Sequence, residues 1–254
     1  MSKIVRANKP VINLHGDPQK PNILGQHNSQ LLYGEAFEVQ NEAKGFYFGQ
    51  CQHDGYEGYI SVSDCKQSEN TPTHIVSVRS APVIREPTYK YRAHAYLPFG
   101  ACLNGRADAK KQDGYVFIEN LGWLFESHFR LKSQSSGNDL CQTAADLFLG
   151  TPYLFGGRSP AGVDCSGLVQ MSMIACGHPC PPRDTKKQKA AFGKSVARED
   201  VRRNDIVYFD GHVGIMADET NILNATARHM TTLYEKLEDL AAVYDGITHI
   251  ARLV

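Results

Sequence analysis

Missing from this chain is any apolar run long enough to span a bilayer, for which about 20 consecutive apolar residues are needed, so no membrane partner is expected. It also lacks an excess of charge of either sign. The 27 Lys and Arg side chains balance 27 Asp and Glu, and no global field points to nucleic acid or an anionic surface. The basic stretch Met1-Ser2-Lys3-Ile4-Val5-Arg6-Ala7-Asn8-Lys9-Pro10 is followed by no apolar core of signal-peptide length. The seven cysteines (51, 65, 102, 141, 165, 176 and 180) are odd in number and mostly isolated, which suits a reducing compartment better than a disulfide framework. A cytoplasmic location is the expectation. Cys176-Gly177-His178-Pro179-Cys180 has no second Cys/His pair at finger-like spacing, so it reads as a loop after a helix; no metal and no cofactor are expected.

What remains is an ordinary globular composition, 42% hydrophobic and 21% charged over 254 residues, enough for a sizeable core and more than one domain. Up to about residue 133 the chain consists of short β-type runs punctuated by Gly, Pro, Asn and Asp. Examples are Phe37-Glu38-Val39, Gly45-Phe46-Tyr47-Phe48-Gly49 and Tyr59-Ile60-Ser61-Val62. Such spacing predicts a small barrel or sandwich. Leu32-Tyr33-Gly34-Glu35 recurs in outline 66 residues later as Pro98-Phe99-Gly100-Ala101, and Glu57-Gly58-Tyr59-Ile60 recurs 64 residues later as Leu121-Gly122-Trp123-Leu124. One duplicated module of SH3 size is indicated, with domains at 1–70 and 73–133 and linkers at Ser68–Thr73 and Ser133–Asn138. The copies differ where Glu35 is replaced by Ala101 and where Tyr56 has no aromatic equivalent. From its pattern alone Glu35 is a solvated turn residue.

From residue 137 to 254 the pattern changes. Asn138 or Asp139 opens a helix through Cys141–Leu149 that Gly150 closes. A glycine-rich loop, Thr151–Gly157, then leads to Asp164-Cys165-Ser166 at the start of an apolar helix containing Leu168, Val169, Met171, Met173 and Ile174, with Asp164 as N-cap and Gly177 as stop. A third helix is expected over Thr185–Phe192, capped by Asp184 and stopped by Gly193. Strands follow at Ile206–Phe209, His212–Met216 and Ile222–Ala225. Helices first and strands afterwards make an α+β fold.

Cys165 sits where unsatisfied helix amides favour a thiolate, which makes it a candidate nucleophile, although a buried structural cysteine is the commoner fate. A base is supplied if Ala217–Asn221 turns a hairpin centred near Asp218. His212 and Asn224 then lie directly opposite each other, where Cβ atoms are about 4.5–5.5 Å apart. An Asn carbonyl can fix one imidazole nitrogen and leave the other for the thiol. That is the nucleophile, base and orienting-group logic of cysteine hydrolases.

Taken together, Pro152-Tyr153-x-x-Gly156-Gly157, Asp164-Cys165-Ser166-Gly167-Leu168-Val169, Pro182-Arg183-Asp184-Thr185-x-x-Gln188, His212-Val213-Gly214-Ile215 and Ile222-Leu223-Asn224-Ala225 resemble the NlpC/P60 cysteine peptidases. The resemblance covers about residues 137–254, and the duplicated β module is similar to the bacterial SH3-type domains that precede some members. It implies a papain-like catalytic domain after two small β-barrel SH3-like domains. It also implies a γ-D-glutamyl-L-diamino acid endopeptidase acting on murein peptides, in recycling or turnover. Cys165 is then the nucleophile, His212 the base and later acid, and Asn224 the orienting residue in place of the second His of many relatives. Phe155 replaces a Trp of many relatives, Tyr153 lines the acyl site and the Cys165 amide serves the oxyanion. Asp164, Ser166 and Arg183 count among the substrate-binding residues. By the same analogy Asp184 binds a free N-terminal L-Ala ammonium, helped by Glu35 and Tyr56 of the first module. The alternatives are an amidase or acyltransferase on the same scaffold, or a non-catalytic wall-binding protein. No oligomeric state is read from the sequence.

Overall fold

The computed structural model describes residues 3–17, 27–68, 70–105, 109–192 and 195–253 and divides into two units, Met1–Gln134 and Ser135–Val254. In the first unit, β1 (Lys3–Ala7), β2 (Val11–His15), β3 (His27–Leu32), β4 (Ala36–Ala43), β5 (Phe46–Cys51), β6 (Glu57–Ser61) and β7 (Cys65–Gln67) form one antiparallel sheet. Its order is β3-β2-β6-β5-β4-β1-β7. Period-two burial drives it: Tyr47, Gly49 and Cys51 of β5 and Gly58 and Ile60 of β6 point inward. They pack with Val5, Leu14, Leu31 and Phe37. The strand order is open, with β3 and β7 at its edges, so the barrel expected from the sequence is not closed by hydrogen bonds among the described residues.

The second copy holds β8 (His74–Val76), β9 (Ser80–Ile84), β10 (Ala93–Pro98), β11 (Cys102–Leu103), β12 (Lys111–Gln112), β13 (Tyr115–Ile118), β14 (Gly122–Phe125) and β15 (Phe129–Leu131). They form the sheets β10-β9-β14-β13-β12 and β11-β8-β15. One turn recurs between the two expected copies. In both copies a tight turn follows a strand: Glu35 N–H donates to Leu32 O at 3.0 Å, and Ala101 N–H donates to Pro98 O at 3.1 Å. The copies also share a core. Tyr33 of the first packs among Val76, Leu97 and Leu124 of the second, and its carbonyl accepts from Cys102 N–H at 2.6 Å. Modules this small bury little alone, and joining two enlarges the core.

The second unit begins with α1 (Leu140–Phe148), capped by Asp139, whose carboxylate accepts Gln142 N–H at 3.0 Å. The short hairpin β16 (Arg158–Ser159) and β17 (Gly162–Val163) precedes α2 (Cys165–Ala175). All but one of the residues of α2 are buried, and it packs against α1 and the sheet. Next come α3 (Thr185–Ala191), β18 (Ile206–Phe209), β19 (His212–Met216), β20 (Asn221–Thr226), β21 (Thr231–Lys236), α4 (Leu237–Val243) and β22 (His249–Ala251). The antiparallel sheet runs β21-β20-β19-β18-β22, and Leu237 and Leu240 of α4 close a core with Val207, Phe209, Met216, Ile222 and Ile250. This is the α+β layout expected from the order of elements. Asp184 precedes α3 but makes no side-chain cap bond, contrary to expectation, and the expected stop at Gly193 lies outside the described residues.

Candidate active site

Two glycines let the nucleophile loop fold flat against the start of α2. A Cβ on Gly157 would meet Gly162 O at 2.4 Å, and one on Gly167 would meet Gly157 O at 2.3 Å. Loop and helix therefore touch backbone to backbone, which only glycine permits here. The other end of the loop is pinned to β21, where Tyr153 N–H donates to Met230 O at 3.0 Å and Thr232 N–H donates to Thr151 O at 2.9 Å. Tyr153 is held half-buried there; burial, then the nearby Cys165 and Asp164, raise its phenol above the ordinary value.

Asp164 caps α2. Its Oδ1 accepts Gly167 N–H at 2.7 Å and its Oδ2 accepts Gly156 N–H at 2.8 Å. Arg183 grips both oxygens, through Nη1 at 3.0 Å and Nη2 at 2.6 Å, and donates to Ser166 Oγ at 2.6 Å. Ser166 in turn donates to Asp164 Oδ1 at 3.2 Å. Burial opposes the charge of Arg183, but Asp164 outweighs it and holds the guanidinium above its ordinary value. All three side chains are nearly solvent-free, and their polar atoms are spent largely on one another. Although the resemblance counts them among substrate contacts, their geometry is that of a brace around Cys165.

Cys165 is 7% exposed. Burial pushes its thiol up to about 12 and Asp164 adds to the rise, while Arg183 and the N–H groups of Ser166 and Val213 favour the thiolate. Loss of water thus opposes the thiolate that the amides at the helix start favour. The Val213 contact also ties Cys165 to β19, the strand that begins with His212.

His212 and Asn224 do meet: the His212 Nε2 to Asn224 Oδ1 distance is 3.0 Å. The hairpin is shifted from the expected one, with Ile215 facing Leu223 and Met216 facing Ile222. Extended by one pair, this register sets Gly214 opposite Asn224, so His212 reaches Asn224 diagonally on the same face. A Cβ at Gly214 would meet the Ile222 side chain at 2.8 Å and Leu223 O at 2.9 Å, so the bare position lets β20 pack close against β19. Asn224 Nδ2 donates to Glu235 Oε2 at 3.0 Å, and Glu235 Oε1 accepts from Arg228 Nη1 at 3.1 Å and lies 3.5 Å from His229 Nε2. Tyr244 stacks on His212 with centroids 4.7 Å apart and planes 6° apart. Burial holds His212 below its ordinary pKa, against the opposing pull of Asn224 and Glu235. A buried thiol, a neutral imidazole on the adjoining strand and an amide fixing one ring nitrogen make a unit suited to nucleophilic acyl transfer.

Asp184 stays half-exposed beside the anchored Arg183, with Lys187 Nζ at 3.7 Å. In the first unit, Glu35 is 8% exposed rather than solvated; its carboxylate accepts Leu32 N–H at 2.8 Å and lies 3.8 Å from His53 Nδ1. Tyr56 packs against the β1–β7 core, and its N–H donates to Asp54 Oδ1 at 3.0 Å. Among the described residues, the group with metal-ligand chemistry is Cys51, His53 and Asp54 in that unit, with donor atoms within 4.8 Å of one another. Cys51 belongs to the apolar core there. Sequence reasoning passed over Glu235 and Tyr244, since neither falls within a recognisable motif.

Residues 150–241 match the family model described as NlpC/P60 family. The second unit is an NlpC/P60 peptidase domain. Residues 19–64 match the bacterial dipeptidyl-peptidase Sh3 domain, so an SH3-type module precedes the NlpC/P60 domain. The chain is 25% identical over 233 residues to dipeptidyl-peptidase 6 of Lysinibacillus sphaericus, covering 82% of this chain and 83% of that one. It is 40% identical over 104 residues to the gamma-D-glutamyl-L-lysine dipeptidyl-peptidase of Bacillus subtilis strain 168, covering 39% of this chain and 34% of that one. Its fold is shared with an NlpC/P60 family protein from Bacillus cereus ATCC 10987, at TM-score 0.82 and 17% identity, covering 98% and 99% of the two chains. Both curated relatives are named as peptidases, and the second unit carries the NlpC/P60 match over most of its length.

Proposed function

We propose that the protein hydrolyses the bond from γ-D-Glu to a diamino acid in short murein-derived peptides that carry a free N-terminal L-Ala. The observation that carries the chemistry is the 3.0 Å contact of His212 with Asn224 on the strand that also offers Val213 N–H to the thiol of Cys165. As Cys165 Sγ attacks the γ-carbonyl carbon, its proton passes to Nδ1 of His212, the nitrogen not bonded to Asn224. The carbonyl oxygen becomes an oxyanion that the Cys165 N–H stabilises. His212 returns the proton to the departing amine, the C–N bond breaks and a thioester remains. Water, deprotonated by His212, attacks the thioester, and the proton goes back to sulfur as the C–S bond breaks.

The substrate reading is supported by the names of the relatives and by Asp184. That carboxylate is unused as a cap, partly open, and one residue from an arginine that grips both flanks of the nucleophile. A carboxylate there suits an ammonium. A free amino terminus exists only on peptides already released from glycan, so the proposed setting is peptide recycling in the cytoplasm. The test is mass analysis of products from L-Ala-γ-D-Glu-diamino acid peptides, free and N-acetylated. Cleavage of the free peptide at the γ-bond is expected. Equal cleavage of the N-acetylated peptide overturns the terminus requirement, and no cleavage of either overturns the reading.

A further inference from the structure

His212, Asn224 and Glu235 lie in a diagonal row across β19, β20 and β21. Asn224 pairs with Leu233 and Ile222 with Glu235, which sets Glu235 on the face of Asn224, two pairs along. Each link in the row has a direction. A carboxylate accepts only, so the atom Asn224 turns toward Glu235 must be its Nδ2, at 3.0 Å. The amide's other end, Oδ1, then faces His212 Nε2 at 3.0 Å, and an acceptor there requires a proton on Nε2. A neutral imidazole carrying its proton on Nε2 leaves the lone pair on Nδ1. Were Asn224 flipped, Nδ2 would face Nε2, the ring proton would move to Nδ1 and the base would be lost.

We propose that Glu235 is a positioning residue: by accepting from Asn224 Nδ2 it sets the amide's orientation and, through it, the tautomer in which His212 Nδ1 is free. The inference rests on the catalytic roles proposed above. Glu235 is itself held: its side chain is 10% exposed, and its second oxygen accepts from Arg228 at 3.1 Å, with His229 at 3.5 Å. The groups acting on the His212 charge are Glu235 and Asp164, which favour it, and Arg228, which opposes it. Asn224 bonds the ring, and Tyr244 and Phe209 pack on it.

The arrangement makes a substitution diagnostic. A carboxylate accepts from Arg228 and Asn224 at once, whereas the amide of Glu235→Gln accepts at one end only. With its oxygen toward the charged Arg228, its NH2 faces Asn224 and forces the flip. The expected result is a fall in kcat of about 10²-fold with KM little changed, since a wrong tautomer costs up to about 10⁴-fold in the Ser-His-Asp system. Removing the competing donor, in Glu235→Gln with Arg228→Met, frees the Gln oxygen for Asn224 and is expected to restore at least a tenth of the parent kcat. The independent readout is the ¹⁵N shifts of His212 at pH 8: Nε2–H in the parent, Nδ1–H in Glu235→Gln, Nε2–H in the double variant. Because the shifts need no turnover, they decide the inference even if the peptide substrate proves wrong. An unchanged tautomer in Glu235→Gln, or a double variant no better than the single, overturns it; thermal melting confirms that each variant is folded.

Discussion

Tyr244 lies flat on His212, its ring 4.7 Å away and within 6° of parallel. The stack does two things: it fixes the plane in which the imidazole swings, and it removes water from one side of the ring. Burial is the largest influence holding His212 below its ordinary pKa. Tyr244→Ala is therefore expected to readmit water and raise that pKa toward the free value of about 6.5. Because the base must be neutral, the acid limb of kcat/KM then moves to higher pH. Tyr244→Phe keeps the ring and is expected to leave the limb in place. A pH–rate profile on all three proteins checks this.

The state of the nucleophile can be read by alkylation. With the Cys165 thiol pushed up to about 12 by burial and His212 held low, the resting pair is a thiol and a neutral imidazole. Iodoacetamide labelling of Cys165 is expected to be slow at pH 6 and to climb steadily from pH 7 to 10, since only the thiolate reacts. A preformed ion pair would instead give a plateau from about pH 5. Labelling followed by peptide mapping separates Cys165 from the other six cysteines.

If Asp184 receives the substrate ammonium, its charge matters more than its shape. Asp184→Asn is expected to raise KM for the free-amine peptide by about tenfold or more while leaving kcat within about threefold, because a charged hydrogen bond contributes roughly 1.5–3 kcal/mol. The carboxylate caps nothing, so the melting temperature is expected to stay within about 2 °C. Steady-state kinetics with free and N-acetylated peptide provide the check.

Much of the catalytic unit was legible because its parts are local. A cap, a cysteine and an apolar run announce the start of α2, and strand parity alone sets His212 and Asn224 on one face. The observed register differs from the expected one, with Ile215 opposite Leu223 and Met216 opposite Ile222. Asp218 Oδ1 accepts the N–H groups of both Thr220 and Asn221, at 2.8 and 2.7 Å, and the turn is centred one residue later than expected. What pattern could not supply was long-range pairing. Arg183 reaches Asp164 across 19 residues, and Tyr244 reaches His212 from beyond α4, a seven-residue helix with only Leu237 and Leu240 buried. Glu35 is a similar case: its turn was readable, but its burial depends on neighbours that no spacing rule brings together.

The Arg183–Asp164 pair should behave as a buried pair does. With side chains 3% and 7% exposed, removing either partner strands a charge away from water. Asp164→Ala also deletes the cap of α2, and a loss of about 3–5 kcal/mol is expected. Arg183→Lys keeps the charge but not the two-pronged grip on both oxygens, so a smaller loss of about 1–2 kcal/mol is expected. Urea unfolding of the three proteins measures both, and near-equal losses would show that the fork contributes nothing beyond its charge.

Gly167 offers a test of the backbone contact beneath the nucleophile. A methyl group there would sit 2.3 Å from Gly157 O and 3.0 Å from Asp164 Oδ1, and the first of these is backbone that cannot swing aside. In an exposed helix Gly→Ala gains roughly 0.5–1 kcal/mol from propensity alone. Here overpacking, at about 1–3 kcal/mol, outweighs that gain, and Gly167→Ala is expected to be less stable than the parent. To relieve the clash, the loop carrying Tyr153 must move away from Cys165, so kcat should fall by more than the melting temperature would suggest. A displacement of about 1 Å in a catalytic arrangement costs on the order of 10²-fold. If Gly167→Ala proved as stable and as active as the parent, the close packing of loop on helix would not be what positions the thiol.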